Sequence, residues 1–356
     1  MKIIHTADLH LGSSFGNALP AAKVGERRRE LVYTFDRMAD YAVKNGVDLI
    51  LLSGDVFDDN LPPKNDKEFF YDVIKRHPGV RFLYLKGNHD FLPSYTENIP
   101  NLLTFGPEWT SYRFGNVCIH GIELPEKGKR AAAESFSCDP SDINIVMLHG
   151  QTGSSEDDIV IKDYAGKGID YIALGHIHSY SFGELDLRGS YAYSGCPEGR
   201  GFDEIGEKGF VLLGTGAGVR HEFIPFAQRT VRLVETDVSE FTNKQDALME
   251  GLARTSGIPG DDIVRLVFKG DVTFDTAGLA GEALTRLKPN FFHISVKDKT
   301  ALKPDLESVA KEESLSGEFV RLAANAEIPE GLDRGRIITI GLKALRGELS
   351  DYKKER

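Results

Sequence analysis

The chain has 356 residues, 41% hydrophobic and 27% charged, with a formal net charge of −11, the make-up of a globular protein with room for two domains. The acidic excess runs through both parts: residues 1–230 carry 24 Lys/Arg against 32 Asp/Glu, and residues 231–356 carry 19 against 22. That excludes the bulk electrostatic footprint of a nucleic-acid binder, so a nucleic-acid partner would need local basic patches or bound metal. Cys118, Cys138 and Cys196 are odd in number and far apart, which excludes a disulfide framework and fits a reduced cytoplasm. No apolar run approaches the roughly 18 residues of a membrane span. Met1 leads directly into strand-like residues, so no signal peptide and no membrane association are expected.

Taken in chain order, a strand over 2–5 is followed by a helical pattern near 25–45, with Leu31, Val32, Phe35, Met38, Ala39, Ala42 and Val43 on one face. A strand over 48–52 precedes a helix over 64–76, and a further strand covers 80–86. The pattern then turns β-rich, with hairpins expected at 113–117 and 214–218, where glycine suits positive φ. These signals predict an α/β class, a two-sheet sandwich flanked by helices over 1–229. Beyond a break near Pro225–Arg229, a strand–helix–strand–helix–strand pattern over 230–300 predicts a small α/β cap domain. Residues 301–356 read as C-terminal helices, over 303–326 and 334–355. In the last, Ile338, Leu342, Leu345 and Leu349 form an apolar stripe. It either packs on its own domain, the favoured reading, or docks a partner.

Five short clusters carry the chemistry: Asp8 with His10, then Asp55, then Asn88-His89-Asp90, then His149, then His176 with His178. Each follows a strand-like run and touches a glycine. Strands that end in polar side chains deliver them to one rim of a sheet, where open α/β sheets keep their chemistry. Carboxylate, amide oxygen and imidazole without thiolate suit Mn²⁺, Fe²⁺, Co²⁺ or Zn²⁺ better than Mg²⁺ or Ca²⁺. Seven such side chains, with Asp55 able to bridge, divide into two metal sites of the kind that drives phosphoryl transfer.

The series D-x-H, GD, GNHD, H-G and GH-x-H resembles the calcineurin-like metallophosphoesterases over residues 1 to about 185. The resemblance implies that Asp8, His10, Asp55 and His178 hold one metal ion. It implies that Asp55, Asn88, His149 and His176 hold a second. His89 would act on the scissile phosphate. Asp90 would orient His89 or serve as a turn residue. Residues 4–12, 53–58 and 87–90, with the loop 193–209, are similar to the SbcD-type nuclease subunit of DNA double-strand-break repair. That resemblance implies a two-metal DNA exonuclease, with ATP-gated endonuclease action, for which Mn²⁺ is the first choice of ion. It also implies partnership with an SbcC-type coiled-coil ATPase and homodimerisation through the first helices. One departure is Asp58, where archaeal and eukaryotic relatives carry a histidine.

Arg200, in a glycine-rich loop, is a candidate for substrate binding, or for an ion pair with Glu198 or Asp203. Arg27-Arg28-Arg29 suits a solvated helix face or a DNA-backbone contact. His5 is expected to pack beneath the site, and His77, His120, His221 and His293 to be structural. The rival readings are a phosphodiesterase or phosphatase for a small molecule or phosphoprotein, and a catalytically silent ATPase-binding scaffold.

Overall fold

A computed structural model describes the chain except for residues 16–18, 59–62, 91–98, 217, 330–333, 346 and 348–356. Strands β1 (Lys2–Thr6), β2 (Leu49–Ser53), β3 (Arg81–Leu85) and β4 (Leu102–Thr104) lie parallel as neighbours. A second group comprises β5 (Thr110–Phe114), β6 (Val117–Gly121), β7 (Ile143–His149), β8 (Tyr171–Gly175), β9 (Ser181–Glu184) and β10 (Ser190–Tyr193). Strands β11 (Gly209–Thr215) and β12 (Val219–Pro225) then return to β1, antiparallel. Two six-stranded sheets result, in the orders β12-β11-β1-β2-β3-β4 and β5-β6-β7-β8-β10-β9. Both hairpins expected from the sequence form: β5–β6, with Gly115 at φ 64°, and β11–β12.

Side-chain alternation explains why the sheets stack. Ile3, Leu49, Leu51 and Leu83 of the first sheet and Ile119, Ile145, Met147 and Ala173 of the second share one buried cluster. Their neighbours along the strands, Ile4, Ile50 and Phe82, face outward against Leu31, Phe35 and Met38 of α1 (Ala21–Asn45) and Phe70 and Ile74 of α2 (Lys64–Arg76). On the opposite side, Val146, Leu148, Ile172 and Leu174 pack on Ala132 and Ala133 of α3 (Arg130–Ser135). Strands buried on both faces read as the near-continuous apolar runs seen in the sequence. Each fully buried Leu, Ile or Phe contributes roughly 1.5–3 kcal/mol. α1 begins at Ala21, four residues before the start expected near 25, and stops at Gly46, whose left-handed backbone (φ 63°) lets its N–H cap the Ala42 and Val43 carbonyls.

Contacts divide the chain into a first unit of residues 1–233, 259–264 and 291–293 and a second of 234–258, 265–290 and 294–356. Strands β13 (Val231–Asp237), β14 (Ile263–Val272) and β15 (His293–Leu302) form a three-stranded sheet, accompanied by α4 (Lys244–Thr255) and α5 (Leu279–Leu287). The single helix expected over 303–326 is two, α6 (Leu306–Ala310) and α7 (Leu315–Asn325). The break is local chemistry: Ser314 Oγ accepts the Gly317 N–H at 3.1 Å and starts a new helix. In α8 (Arg334–Leu345), Ile338 and Leu342 are buried with Val309 and Val320, as the favoured reading of the stripe required. Leu345 is 43% exposed, and Leu349 lies outside the described residues. Among the described residues, no helix is long and apolar enough to cross a membrane.

Candidate metal centre

The carboxyl ends of β1, β2, β3, β7 and β8 carry the five clusters. The backbone there is unusual: Asp8 (φ 54°), His10 (φ 45°), Asp55 (φ 50°) and His176 (φ 106°) all have positive φ without being glycine. Each such residue costs on the order of 1–3 kcal/mol, tolerated where the surroundings over-determine it. They do so here. The Asp8 N–H donates to the Gly54 carbonyl (2.9 Å), that of His10 to the Asp55 carbonyl (3.0 Å) and that of Leu11 to the Val56 carbonyl (2.8 Å). The His176 N–H donates to both Asp8 carboxylate oxygens at 3.0 Å, and the His89 N–H to Asp55 Oδ1 at 2.9 Å. Gly87 and Gly175 are required by close approach: a Cβ on them would fall 2.2 Å from Asp55 Oδ1 and 1.9 Å from the Ser53 carbonyl.

Two groups of ligand-bearing side chains result. Asp8, His10 and His178 form one, and Asp55, His149 and His176 the other, each with its ligand atoms within 4.8 Å of one another. Asn88 belongs with the second, its Oδ1 lying 3.1 Å from His149 Nε2 and 3.2 Å from His176 Nδ1. Asp55 stands between them, with Oδ2 3.3 Å from His149 Nε2 and 3.9 Å from His10 Nε2. The donor set fits divalent cations. His10 Nε2 and His178 Nε2 face each other at 3.1 Å, and one of two facing imidazole nitrogens must carry a proton or share a cation with the other.

The electrostatics agree with that fit. Burial, helped by the charge of Asp55, pushes Asp8 up to about 6, against the pull of His149 and His178. Burial would also raise Asp55, but its hydrogen bond and charge interaction with His149 hold it at about 2. Burial would lower His149, but Asp55 and Asp8 raise it to about 9. Near neutral pH these shifts favour a proton on His149 beside the Asp55 and Asp8 carboxylates, and a bound cation would compete with it.

The structure brings all seven expected ligand residues together, and His89 beside them. The His89 ring is exposed at the rim, its centroid 5.3 Å from that of His10, with Nδ1 3.2 Å from the Asp58 carbonyl oxygen. Of the two roles expected for Asp90, the loop-holding one is what its contacts show, and no hydrogen bond to the His89 ring is among them. Buried Asp90 accepts the backbone N–H groups of Phe57 (2.9 Å), Val56 (3.2 Å) and Gly87 (3.0 Å). Three orphan donors of two neighbouring loops need an acceptor more than the ring does, so Asp90 splices the loop after β2 to the loop after β3. Arg200 is corrected in part. It pairs with neither Glu198 nor Asp203 but with Glu204 (2.7 Å) and Asp58 (2.6 Å), at the edge of the first ligand group.

Arg27 is neither solvated nor placed for DNA. It is fully buried and bonds Glu30, Glu198 (3.1 Å) and the Gly199 carbonyl (2.8 Å), because the loop after β10 packs over α1. Arg29 is exposed, and Arg28 Nε donates to the Ser13 carbonyl at 2.9 Å. His5 lies beneath the site, bonded to the Tyr171 hydroxyl (3.0 Å) and the Leu174 carbonyl (3.2 Å). Burial lowers it to about 3. Sequence reasoning missed Glu204, whose carboxylate lies 2.6 Å from His178 Nδ1, and Lys208, whose Nζ donates to the His178 carbonyl at 2.7 Å. Both sit in the 193–209 loop, but nothing in its pattern ties either one to His178.

A two-sheet α/β sandwich with paired Asp/His/Asn groups on its strand ends defines a metal-dependent phosphoesterase architecture. The family model for calcineurin-like phosphoesterases matches residues 1–180, and the chain belongs to that family. Its metal sites are dinuclear, in line with the two ligand groups. Among curated proteins, the chain is 23% identical to the DNA double-strand break repair protein Mre11 of Methanopyrus kandleri, over 99% of this chain and 83% of that one. It is 28% identical to the uncharacterized metallophosphoesterase YhaO of Bacillus subtilis, over 63% of this chain and 60% of YhaO. It is 26% identical to the SbcD component of the SbcCD nuclease of Escherichia coli K12, over 60% of this chain and 65% of SbcD. The chain thus spans less than two thirds of the length of YhaO and of SbcD.

Proposed function

We propose that the protein is a two-metal DNA phosphodiesterase, an exonuclease that also acts as an endonuclease, working in double-strand-break repair with an SbcC-type ATPase. The observation that carries the reading is Asp55 standing between two complementary ligand groups at one sheet rim. Asp8, His10, Asp55 and His178 would hold one ion, and Asp55, Asn88, His149 and His176 the other, with Mn²⁺ the first choice for this O/N donor set. Bound there, such a pair supplies an activated water at neutral pH and neutralises phosphate charge. The chain's own residues do the rest. Asp55, with both oxygens engaged, keeps the two groups in register. His89, with Nδ1 turned to the Asp58 carbonyl, presents Nε2 to the phosphate, to stabilise charge or protonate the leaving oxygen.

DNA as substrate, and the ATPase as partner, rest on similarity to proteins named for break repair and for the SbcCD nuclease. Residues 230–300, most of them in the second unit, would then supply a cap, and residues 301–356 an ATPase-docking segment. Since Ile338 and Leu342 are buried within their own unit, docking would use the exposed side of α7 and α8 and the residues that follow. Homodimerisation through α1 would draw on Tyr33 and Val43, 52% and 58% exposed. We place the protein in the cytoplasm.

The acidic balance of −11 favours one competing reading, a small-molecule or phosphoprotein substrate. The test is incubation of Mn²⁺-loaded protein, with and without an SbcC-type ATPase, with end-labelled duplex DNA and with an aryl phosphodiester. Cleavage of both substrates supports the nuclease. Robust aryl-ester cleavage beside intact DNA in every condition overturns it. Failure of saturating Mn²⁺ to bind at two sites overturns the enzyme in favour of a scaffold.

A further inference from the structure

The two ligand groups are supported from behind by different chemistry. In the second group, His149 turns Nδ1 to a backbone carbonyl, that of Ser53, at 2.8 Å. In the first group both histidines are backed by carboxylates. His178 Nδ1 lies 2.6 Å from Glu204 Oε1, and His10 Nδ1 lies 2.9 Å from Asp58 Oδ1, out of line for a strong hydrogen bond. One guanidinium spans the two carboxylates. Arg200 Nη1 is 2.6 Å from Asp58 Oδ1, and Nη2 is 2.7 Å from Glu204 Oε1. The Arg200 backbone N–H donates to Glu204 Oε2 at 2.6 Å, and Lys208 Nζ pins the His178 carbonyl at 2.7 Å. Glu204 is 4% exposed and Arg200 half-buried.

We propose that Arg200, Asp58 and Glu204 form a positioning brace that selectively sets the metal affinity of the Asp8–His10–His178 group. This rests on the two-metal reading above. The Glu204 carboxylate, in hydrogen-bond reach of His178 Nδ1, selects the Nδ1–H tautomer, turns the Nε2 lone pair inward and raises its basicity, while Asp58 acts on His10 chiefly through its charge. Two carboxylates side by side behind one metal group would repel each other, and Arg200 offsets them both. The brace also gives Asp58 a role that a histidine at that position would fill poorly, since a neutral imidazole nitrogen can accept from Arg200 but brings no negative charge to pair with the guanidinium. Arg200 therefore acts through His10 and His178, and its side chain is already committed when substrate arrives.

The probe is Mn²⁺ alone, titrated by calorimetry into the full chain, with bound metal checked by elemental analysis. The variants are Glu204→Ala, Glu204→Gln, Arg200→Ala and Arg200→Lys. The wild type is expected to bind two ions. Glu204→Ala and Arg200→Ala are expected to weaken one of the two by about 10–100-fold and leave the other unchanged. Glu204→Gln still accepts from His178 Nδ1–H and should recover most of the affinity that Ala loses. If Glu204→Ala loses its far-UV circular dichroism, Glu204→Gln and Arg200→Lys carry the test, each being expected to weaken the same single site more mildly. Equal weakening of both ions, or of neither, overturns the brace while leaving the two-metal reading in place. A wild type that binds fewer than two ions overturns the reading itself. At saturating Mn²⁺, a rise in KM for Arg200→Ala with kcat unchanged would also overturn the brace, since it would make Arg200 a substrate contact.

Discussion

Both units of this chain place aspartates at strand ends, but Asp55 in the first unit is a candidate ligand and Asp237 in the second is not. Asp237, closing β13 in the second unit, is held by the Ser239 side chain and accepts the Ser239 N–H at 3.0 Å, an ordinary turn closure that holds its carboxyl low. Asp55, after β2 in the first unit, is instead held by the His89 N–H and His149, within reach of a second ligand group. Among the described residues, both potential metal groups belong to the first unit. Chemistry therefore depends on several strand ends converging, here five from two stacked sheets, and an acidic residue at one strand end is not enough.

The largest effect that could break this contrast is at Asp55. Asp55→Asn should lower Mn²⁺-dependent phosphodiester hydrolysis by at least about 10³-fold and weaken both ions, whereas Asp237→Asn should leave rate and metal content near wild type. Comparable losses from the two substitutions would remove the distinction. Next, His89→Gln should reduce kcat by about 10²–10⁴-fold with two ions still bound, as elemental analysis would report. A loss of metal instead would make His89 a ligand.

Stability should separate from chemistry in the second unit. Leu342, 1% exposed, packs on Val309 and Val320, and Leu342→Ala should cost about 2–5 kcal/mol by chemical denaturation. Its metal stoichiometry should remain two, and a variant that lost metal would show the units to be chemically coupled. The smallest effect concerns His5, beneath the site. Its folded pKa, about 3, lies below its ordinary 6.5. Between those values the unfolded chain binds the extra proton, so this contribution to stability is present above pH 6.5 and is lost as pH falls toward 3, at up to about 1.4 kcal/mol per pH unit. His5→Gln should flatten that part of the pH–stability profile relative to wild type. An unchanged slope would mean that His5 is not held neutral.

Much of the candidate site was legible because it is made of local pieces. The strand runs, the glycines and the order of Asp8, His10, Asp55, Asn88, His89, His149, His176 and His178 are all short-range signals. A buried parallel strand must deliver whatever follows it to its carboxyl end. The residues misread or left open are those whose partners come from elsewhere in the fold. Arg27 looked solvated beside Arg28 and Arg29, but its partner Glu198 is 171 residues away and buried with it. Asp90 looked like the neighbour of His89, but three loop N–H groups claimed it.

By itself, then, the sequence determined the alternation that makes two sheets and their helices, the rim that bears the ligands, and the types of donor atom available there. Periodicity and residue chemistry are local properties of a chain. Only the tertiary structure decided that Asp55 stands between two ligand groups, that Asp58 and Glu204 back the histidines of one of them, and that Arg200 ties the two carboxylates together. Those are relations between loops from separate strands, 142 residues apart for Arg200 and Asp58. They are set by how the sheets stack and where unpaired N–H groups and charges find partners.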